Sequence, residues 1–170
     1  FERQAAVEAG QVDGYRQTLR IGGLAWGGAS PEQWAVPTHA VDFFDVKADV
    51  EALSPAQPLR FEAAVHPAFH PGRSARVLLN DQPMGWIGEL HPRWVQKYEL
   101  ESAPVLFELD IDGLTPSAVP VYEPVSSFQA VVRYLAVLVN AKVPVQDLID
   151  LLWTKAPDVL RSVNLFDQYQ

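Results

Sequence analysis

Polar and apolar residues alternate with a period of two over residues 59–65. Leu59, Phe61 and Ala63 interleave there with Arg60 and Glu62, which predicts a strand. The same rhythm over 105–112 puts Val105, Phe107, Leu109 and Ile111 on one face and Glu108, Asp110 and Asp112 on the other. Between these two lies 69–92, which reads as one β-hairpin. Residues 73–79 run out, Asn80, Asp81 and Gln82 turn the chain, and 84–90 return it. Two His-Pro pairs, His70-Pro71 and His91-Pro92, bracket the hairpin. Residues 18–26 alternate more loosely and meet Gly27-Gly28, so a strand is expected to end in a loop. The period changes over 42–53, where Phe43, Val46, Val50 and Leu53 recur at helical spacing. Lys47 and Glu51 sit four apart on another face of that helix, in the weaker charge order. Ser30-Pro31-Glu32 predicts the start of a short helix, and Pro92 opens another through Tyr98. Gly10 to Gly14 reads as a turn.

Residues 115–124 hold three prolines and few charges, and read as a linker. Beyond it the pattern restarts. A strongly apolar strand is predicted over 131–139, a helix over 145–155 with Val145, Leu148, Ile149 and Leu152 on one face, and a strand over 159–166. That is β-α-β, half of a ferredoxin-like β-α-β-β-α-β unit, whose other half needs about 40 more residues. Strands joined by hairpin-type links, with short helices between, predict an α+β fold: an antiparallel sheet backed by helices. The opening Phe1-Glu2-Arg3, without Met, and the last strand, which stops as it finishes, are expected of a piece of a longer protein.

Composition narrows the function classes. With 170 residues and 48% apolar content, the chain can build one sizeable core, or one core and a partial second. The net charge is −8, with five acids and four Lys/Arg after residue 120, hence −1 there and −7 before. That balance disfavours a free-standing nucleic-acid binder, which needs a basic face to displace counterions. The absence of cysteine removes disulfides, thiolate metal sites and thiol nucleophiles. No apolar run approaches the roughly 18–20 residues that span a bilayer.

Candidate chemistry is sparse. His66 and His70 sit four apart, with His91 nearby, and could form the metal site of a hydrolase. Pro67 and Pro71 push both preceding histidines toward extended backbone, which argues for turn and packing roles instead. Asp42, Asp45 and Asp49 resemble a carboxylate site, but a solvated acidic face favoured by the helix dipole is the simpler reading. Glu108, Asp110 and Asp112 could hold magnesium, yet alternation is what any half-exposed strand shows. Gly22-Gly23 and Gly27-Gly28 do not match a phosphate-cradling loop. The five tryptophans read as core or interface. The residues alone predict an α+β scaffold with no catalytic, cofactor or metal site.

Several pieces in order resemble one family, the β subunits of bacterial phenylalanine–tRNA ligase in their C-terminal region. They are Phe1-Glu2; Val41 to Lys47 followed by Asp49-Val50-Glu51; Leu59-Arg60-Phe61; His70 to Ala75; Gly85 to Pro92; and Phe107 to Asp110. Later, Ser126-Ser127-Phe128 with Arg133, and Val163 to Tyr169, resemble the opening strands of the family's ferredoxin-fold anticodon-binding domain. The resemblance implies three parts: residues 1–115 as a partial, non-catalytic core like that of a class II aminoacyl-tRNA synthetase, 116–124 as a linker, and 125–170 as the N-terminal half of the anticodon-binding domain. It implies a cytoplasmic (αβ)2 heterotetramer in which the α subunit binds ATP, magnesium and phenylalanine and the β core packs against it. It implies tRNA(Phe) as the nucleic-acid partner, with no DNA and no membrane, and Ser127, Phe128 and Arg133 as the tRNA-facing residues. Ser127, Gln129, Val132, Tyr134 and Gln170 depart from the family's usual residues. Two or three phosphate-facing cations are thereby missing, each worth about 0.9 in the log-log salt slope on a duplex. A stand-alone RNA-binding module is the remaining alternative to the metal-dependent hydrolase.

Overall fold

A computed structural model describes residues 2–3, 15–16, 18–55, 57–114, 122, 124, 127–156 and 158–169. The chain divides into two units, residues 1–121 and 122–170. In the first, β1 (Glu2–Arg3) pairs antiparallel with β2 (Tyr15–Arg16). The expected turn at Gly10 to Gly14 lies outside the described residues. The main body is a five-stranded sheet of β3 (Arg20–Ala25), β4 (Leu59–Ala63), β5 (Phe69–Leu79), β6 (Gln82–Leu90) and β7 (Val105–Asp110). Its order is β3-β7-β6-β5-β4, with every neighbouring pair antiparallel. The expected antiparallel sheet is therefore present, and the chain is α+β.

The hairpin forms because Asn80 and Asp81 take φ of 51° and 61°. A two-residue turn with both φ positive matches the right-handed twist of its strands. Gln82, expected in the turn, already belongs to β6. β5 is longer than its alternation suggests, and its register shifts between Phe69 and Ser74 and between Val77 and Leu78. These irregularities break the period of two and hide the strand's true start.

Helix α1 (Phe43–Ala52) begins where the sequence dictates. Asp42 accepts from the amides of Phe44 and Asp45 at 2.7 and 3.1 Å, and its own amide donates to the Asp45 carboxylate at 2.9 Å. This reciprocal cap satisfies amides that a helix start leaves orphaned. Asp42 and Asp45 are thus helix caps as well as an acidic face. Val46 and Val50 are buried against the sheet, with Phe43 and Leu53 packed at the margin. Lys47 meets Glu51 at 2.5 Å and lies 4.6 Å from the centre of the Phe61 ring.

The register places Ile21, Leu109, Gly85, Val77 and Phe61 in one row on the α1 side. Gly23, Phe107, Ile87, Ala75 and Ala63 form the next row. Val77, Ile87 and Leu109 are fully buried there, beneath Val46 and Val50. Gly85 is required at its place: a Cβ would lie 2.1 Å from the Glu108 carbonyl oxygen. Helix α2 (Pro92–Lys97) follows β6 with Pro at its first position. β7 ends sooner than expected, in a 3-10 turn at Ile111–Gly113. The short helix expected from Ser30 is absent. Gln33 and Val36 instead form an isolated bridge, with Ala35 at a φ of 61° and Pro37 next, so the backbone turns back before a helix can form.

The second unit contains α3 (Val145–Lys155), the expected helix, and no buried residue among those described. The strands predicted at 131–139 and 159–166 are not found: neither segment has a ladder partner. A strand exists only as one side of a hydrogen-bonded pair, so an apolar run without a neighbour does not make one. The linker expected at 116–124 lies almost wholly outside the described residues. No helix among the described residues is long and apolar enough to cross a membrane.

Candidate functional site

The hairpin carries the residues that stood out in the sequence, and antiparallel pairing brings its two ends together. Phe69 faces Leu90, the His91 amide donates to the Ala68 carbonyl at 2.9 Å, and Arg93 Nη2 donates to the Pro67 carbonyl at 2.6 Å. Three His-Pro corners meet there, and each uses its imidazole in the same way. His66 Nδ1 accepts from the Ala68 amide at 3.2 Å, His70 Nδ1 from Gly72 at 3.1 Å, and His91 Nδ1 from Arg93 at 3.1 Å. Each ring bridges its own proline to the amide two residues on, as an Asx side chain does in a turn. His91 thereby caps α2. The ring of His66 also contacts Phe69 and Trp86, with centroids 5.1 and 4.9 Å apart. These histidines do not converge on a common point, and no group of three His, Cys, Asp or Glu among the described residues could hold a metal ion. Nothing in the geometry supports the hydrolase alternative.

The sheet face opposite α1 carries a charged row across all five strands: Gly22, Glu108, Trp86, Arg76 and Glu62. Its cations are already engaged. Arg20 pairs with Glu108 and, through Nε, with Asp110 at 2.9 Å. The hydrogen bond to Glu108 and the Asp110 charge hold its guanidinium above the usual arginine range. Arg76 stacks on Trp86, its guanidinium carbon 5.0 Å from the ring centre. Arg73 is tied to Glu89 at 2.7 Å, and that hydrogen bond raises its pKa. The acidic strand face read as a possible magnesium site is half of an ion-pair ladder: Glu108 and Asp110 both serve Arg20.

Where β3 runs past α1, an open cleft of about 450 Å³ is lined by Leu24, Trp26, Val41, Ala48, Asp45 and Asp49, with small residues completing its wall. Trp26 is fixed by donating from Nε1 to Ser102 Oγ at 2.7 Å. No Lys or Arg lines this cleft. Two carboxylates make it a poor host for a polyphosphate, whose charge they repel. ATP and its magnesium therefore do not fit the residues present here. The cleft escaped sequence reasoning because its lining comes from positions 24–49, scattered over a strand, a loop and a helix.

Ser127, Phe128 and Arg133 lie in the second unit, outside any helix or ladder, and all three are exposed. Arg133 Nη1 donates to the Val132 carbonyl at 3.2 Å.

The first unit is thus an antiparallel sheet with one helix on its core face, a self-neutralised charged row on the other and an acidic cleft beside the helix. Residues 1–111 match the family described as the phenylalanyl tRNA synthetase beta chain CLM domain. Proteins named phenylalanine–tRNA ligase beta subunit from Ralstonia nicotianae, Dechloromonas aromatica and Bordetella parapertussis are 50%, 48% and 54% identical to this chain. The matches take in 100%, 96% and 97% of this chain and 22%, 21% and 21% of those relatives. The chain thus spans about a fifth of their length. It belongs to the phenylalanyl-tRNA synthetase β-chain family.

Proposed function

We propose that this chain is a non-catalytic, structural portion of the β subunit of phenylalanine–tRNA ligase, and supports ATP-dependent joining of phenylalanine to its tRNA. The observation that carries the reading is the engagement of the charged row. A sheet that holds ATP must offer arginines to phosphate. Here Arg20 and Arg76 are occupied by Glu108, Asp110 and Trp86, and the cleft beside α1 presents Asp45 and Asp49. In this reading residues 1–115 are a class II-like core that has kept the sheet and lost the nucleotide chemistry. The α subunit of an (αβ)2 assembly supplies ATP, magnesium and phenylalanine binding, in the cytoplasm. Residues 116–124 link the core to 125–170, the first half of a ferredoxin-like anticodon-binding domain. Ser127, Phe128 and Arg133 approach tRNA(Phe) in the assembled enzyme. A split β-α-β unit keeps its two strands one place apart in the sheet, so each lacks a ladder until a third strand enters between them. The ladder-free state of 131–139 and 159–166 agrees with that arrangement.

The test is phenylalanine-dependent ATP–pyrophosphate exchange with the purified chain, alone and with the α subunit. No exchange is expected from the chain alone, together with a stable complex on a sizing column when α is added. Exchange by the chain alone overturns the non-catalytic reading, and failure to bind α overturns the packing role.

A further inference from the structure

We propose that the base of the hairpin is a proton-sensitive latch, in which the neutral imidazoles of His66, His70 and His91 hold the start of α2 and the β4–β5 connection in place and acid releases all three together. Each of these rings uses Nδ1 as an acceptor, from the amides of Ala68, Gly72 and Arg93. A ring that accepts at Nδ1 is neutral and keeps its one proton on Nε2. A charged imidazole carries a proton on both nitrogens and accepts nothing. Protonation therefore turns the acceptor of each corner into a donor that faces another donor. The three corners share one place, because Phe69 faces Leu90 and the His91 amide reaches the Ala68 carbonyl. His66 and His70 set the entry into β5, and His91 caps α2.

Neighbouring charges do not offset that loss. His66 lies against Phe69 and Trp86, and Arg76 already stacks on Trp86. Arg93 donates to the carbonyl of Pro67, the next residue. Across the ladders Glu62 is the partner of Arg76 and Glu108 the partner of Trp86, but Glu108 serves Arg20. Around His70 and His91 the charged groups are Arg73, bonded to Glu89, and Arg93 and Lys97 of α2, both lying over Trp94. A second proton on these rings thus joins a group of cations whose nearby acid is taken. Among the described residues, the one histidine paired with a carboxylate is His39, 3.5 Å from Asp45 of α1. It gains from a proton where the other three lose, and so gives an internal control of opposite sign.

Urea unfolding of the chain, followed by tryptophan emission at about pH 7.5 and about pH 5.5, tests the latch, since histidine is the side chain that ordinarily changes charge in that range. The acceptor fixes the sign: stability is full where the rings are neutral and falls as the pH falls. The folding equilibrium constant should drop about tenfold or more on acidification. Combining His66→Asn, His70→Asn and His91→Asn should remove most of that dependence, because Asn Oδ1 can accept the same amides at either pH. His39→Asn should leave it in place. A drop that survives in the triple variant, or one that vanishes with His39→Asn, would overturn the proposal. Nitrogen NMR of the histidine rings reads the latch without any substitution. A proton on Nε2 alone is expected for the three rings at about pH 7.5, and a proton on Nδ1 there would overturn it. Amide exchange locates the release. Protection of the Ala68, Gly72 and Arg93 amides should fall on acidification while that of the buried Val77 and Ile87 holds. An equal fall at all five would mean that the whole sheet gives way, and would overturn the latch.

Discussion

The second unit is the richer of the two in apolar residues, yet the units use them to opposite effect. In the first, Val77, Ile87 and Leu109 are fully buried between sheet and helix. In the second, Leu138, Phe166 and Leu152 are exposed, and α3 covers nothing completely. The difference is one of closure rather than composition. Five strands in register give α1 a surface on which to lay Val46 and Val50. One helix and two unpaired segments give no such surface, and backbone groups without partners keep the segments in water. A hydrophobic pattern is therefore a demand for neighbours, met within the first unit and unmet within the second.

Large-to-small substitution breaks or sharpens this contrast most directly. Ile87→Ala should cost about 2–5 kcal/mol in urea unfolding followed by tryptophan emission. Leu152→Ala in the same assay should cost under about 1 kcal/mol, because its site is not packed. Equal losses at both positions would erase the distinction. Gly85→Ala should cost about 1–3 kcal/mol, since the new Cβ collides with the backbone of β7 at Glu108 and Leu109. Faster amide exchange confined to β6 and β7 would locate the damage. His91→Ala should cost about 1 kcal/mol by uncapping α2, and His91→Asn should restore most of it, because Asn Oδ1 can take the Arg93 amide in place of Nδ1. If Asn is as harmful as Ala, the imidazole matters for something other than its acceptor atom. Arg20→Gln should cost less than about 1 kcal/mol, because its pairs with Glu108 and Asp110 are half-exposed. Raising salt should shrink that difference further.

Local chemistry was legible in the sequence, and non-local pairing was not. Pro92 opened a helix and Asn80, Asp81 and Gln82 marked the hairpin turn, because each acts within a few residues, whereas the capping role of Asp42 was not foreseen. The Val46 and Val50 stripe was legible for the same reason: periodicity is local. The placement of β7 between β3 and β6 was not, since nothing in Val105 to Asp110 names its partners. The charged row from Gly22 to Glu62 escaped with it, because it exists only once the strand order is known. His66, His70 and His91 were read as turn and packing residues, but the Nδ1 bond that they share was not foreseen. An X-Pro step restricts the histidine backbone, and only the folded corner shows Nδ1 aimed at the amide beyond the proline. The strands predicted at 131–139 and 159–166 show the converse error: an apolar run says nothing of the neighbour that a strand needs.

The tip of the hairpin has a consequence of another kind. Asn80 and Asp81 both sit in the left-handed region, where only glycine rests without steric penalty. Replacing Asp81 with glycine should relieve that crowding and raise the melting temperature slightly, offset in part by a looser unfolded chain. Selection acts on whether a fold is stable enough, not on whether it is the most stable available. The exposed tip is therefore a place where a single substitution can add stability to this sheet without touching its core.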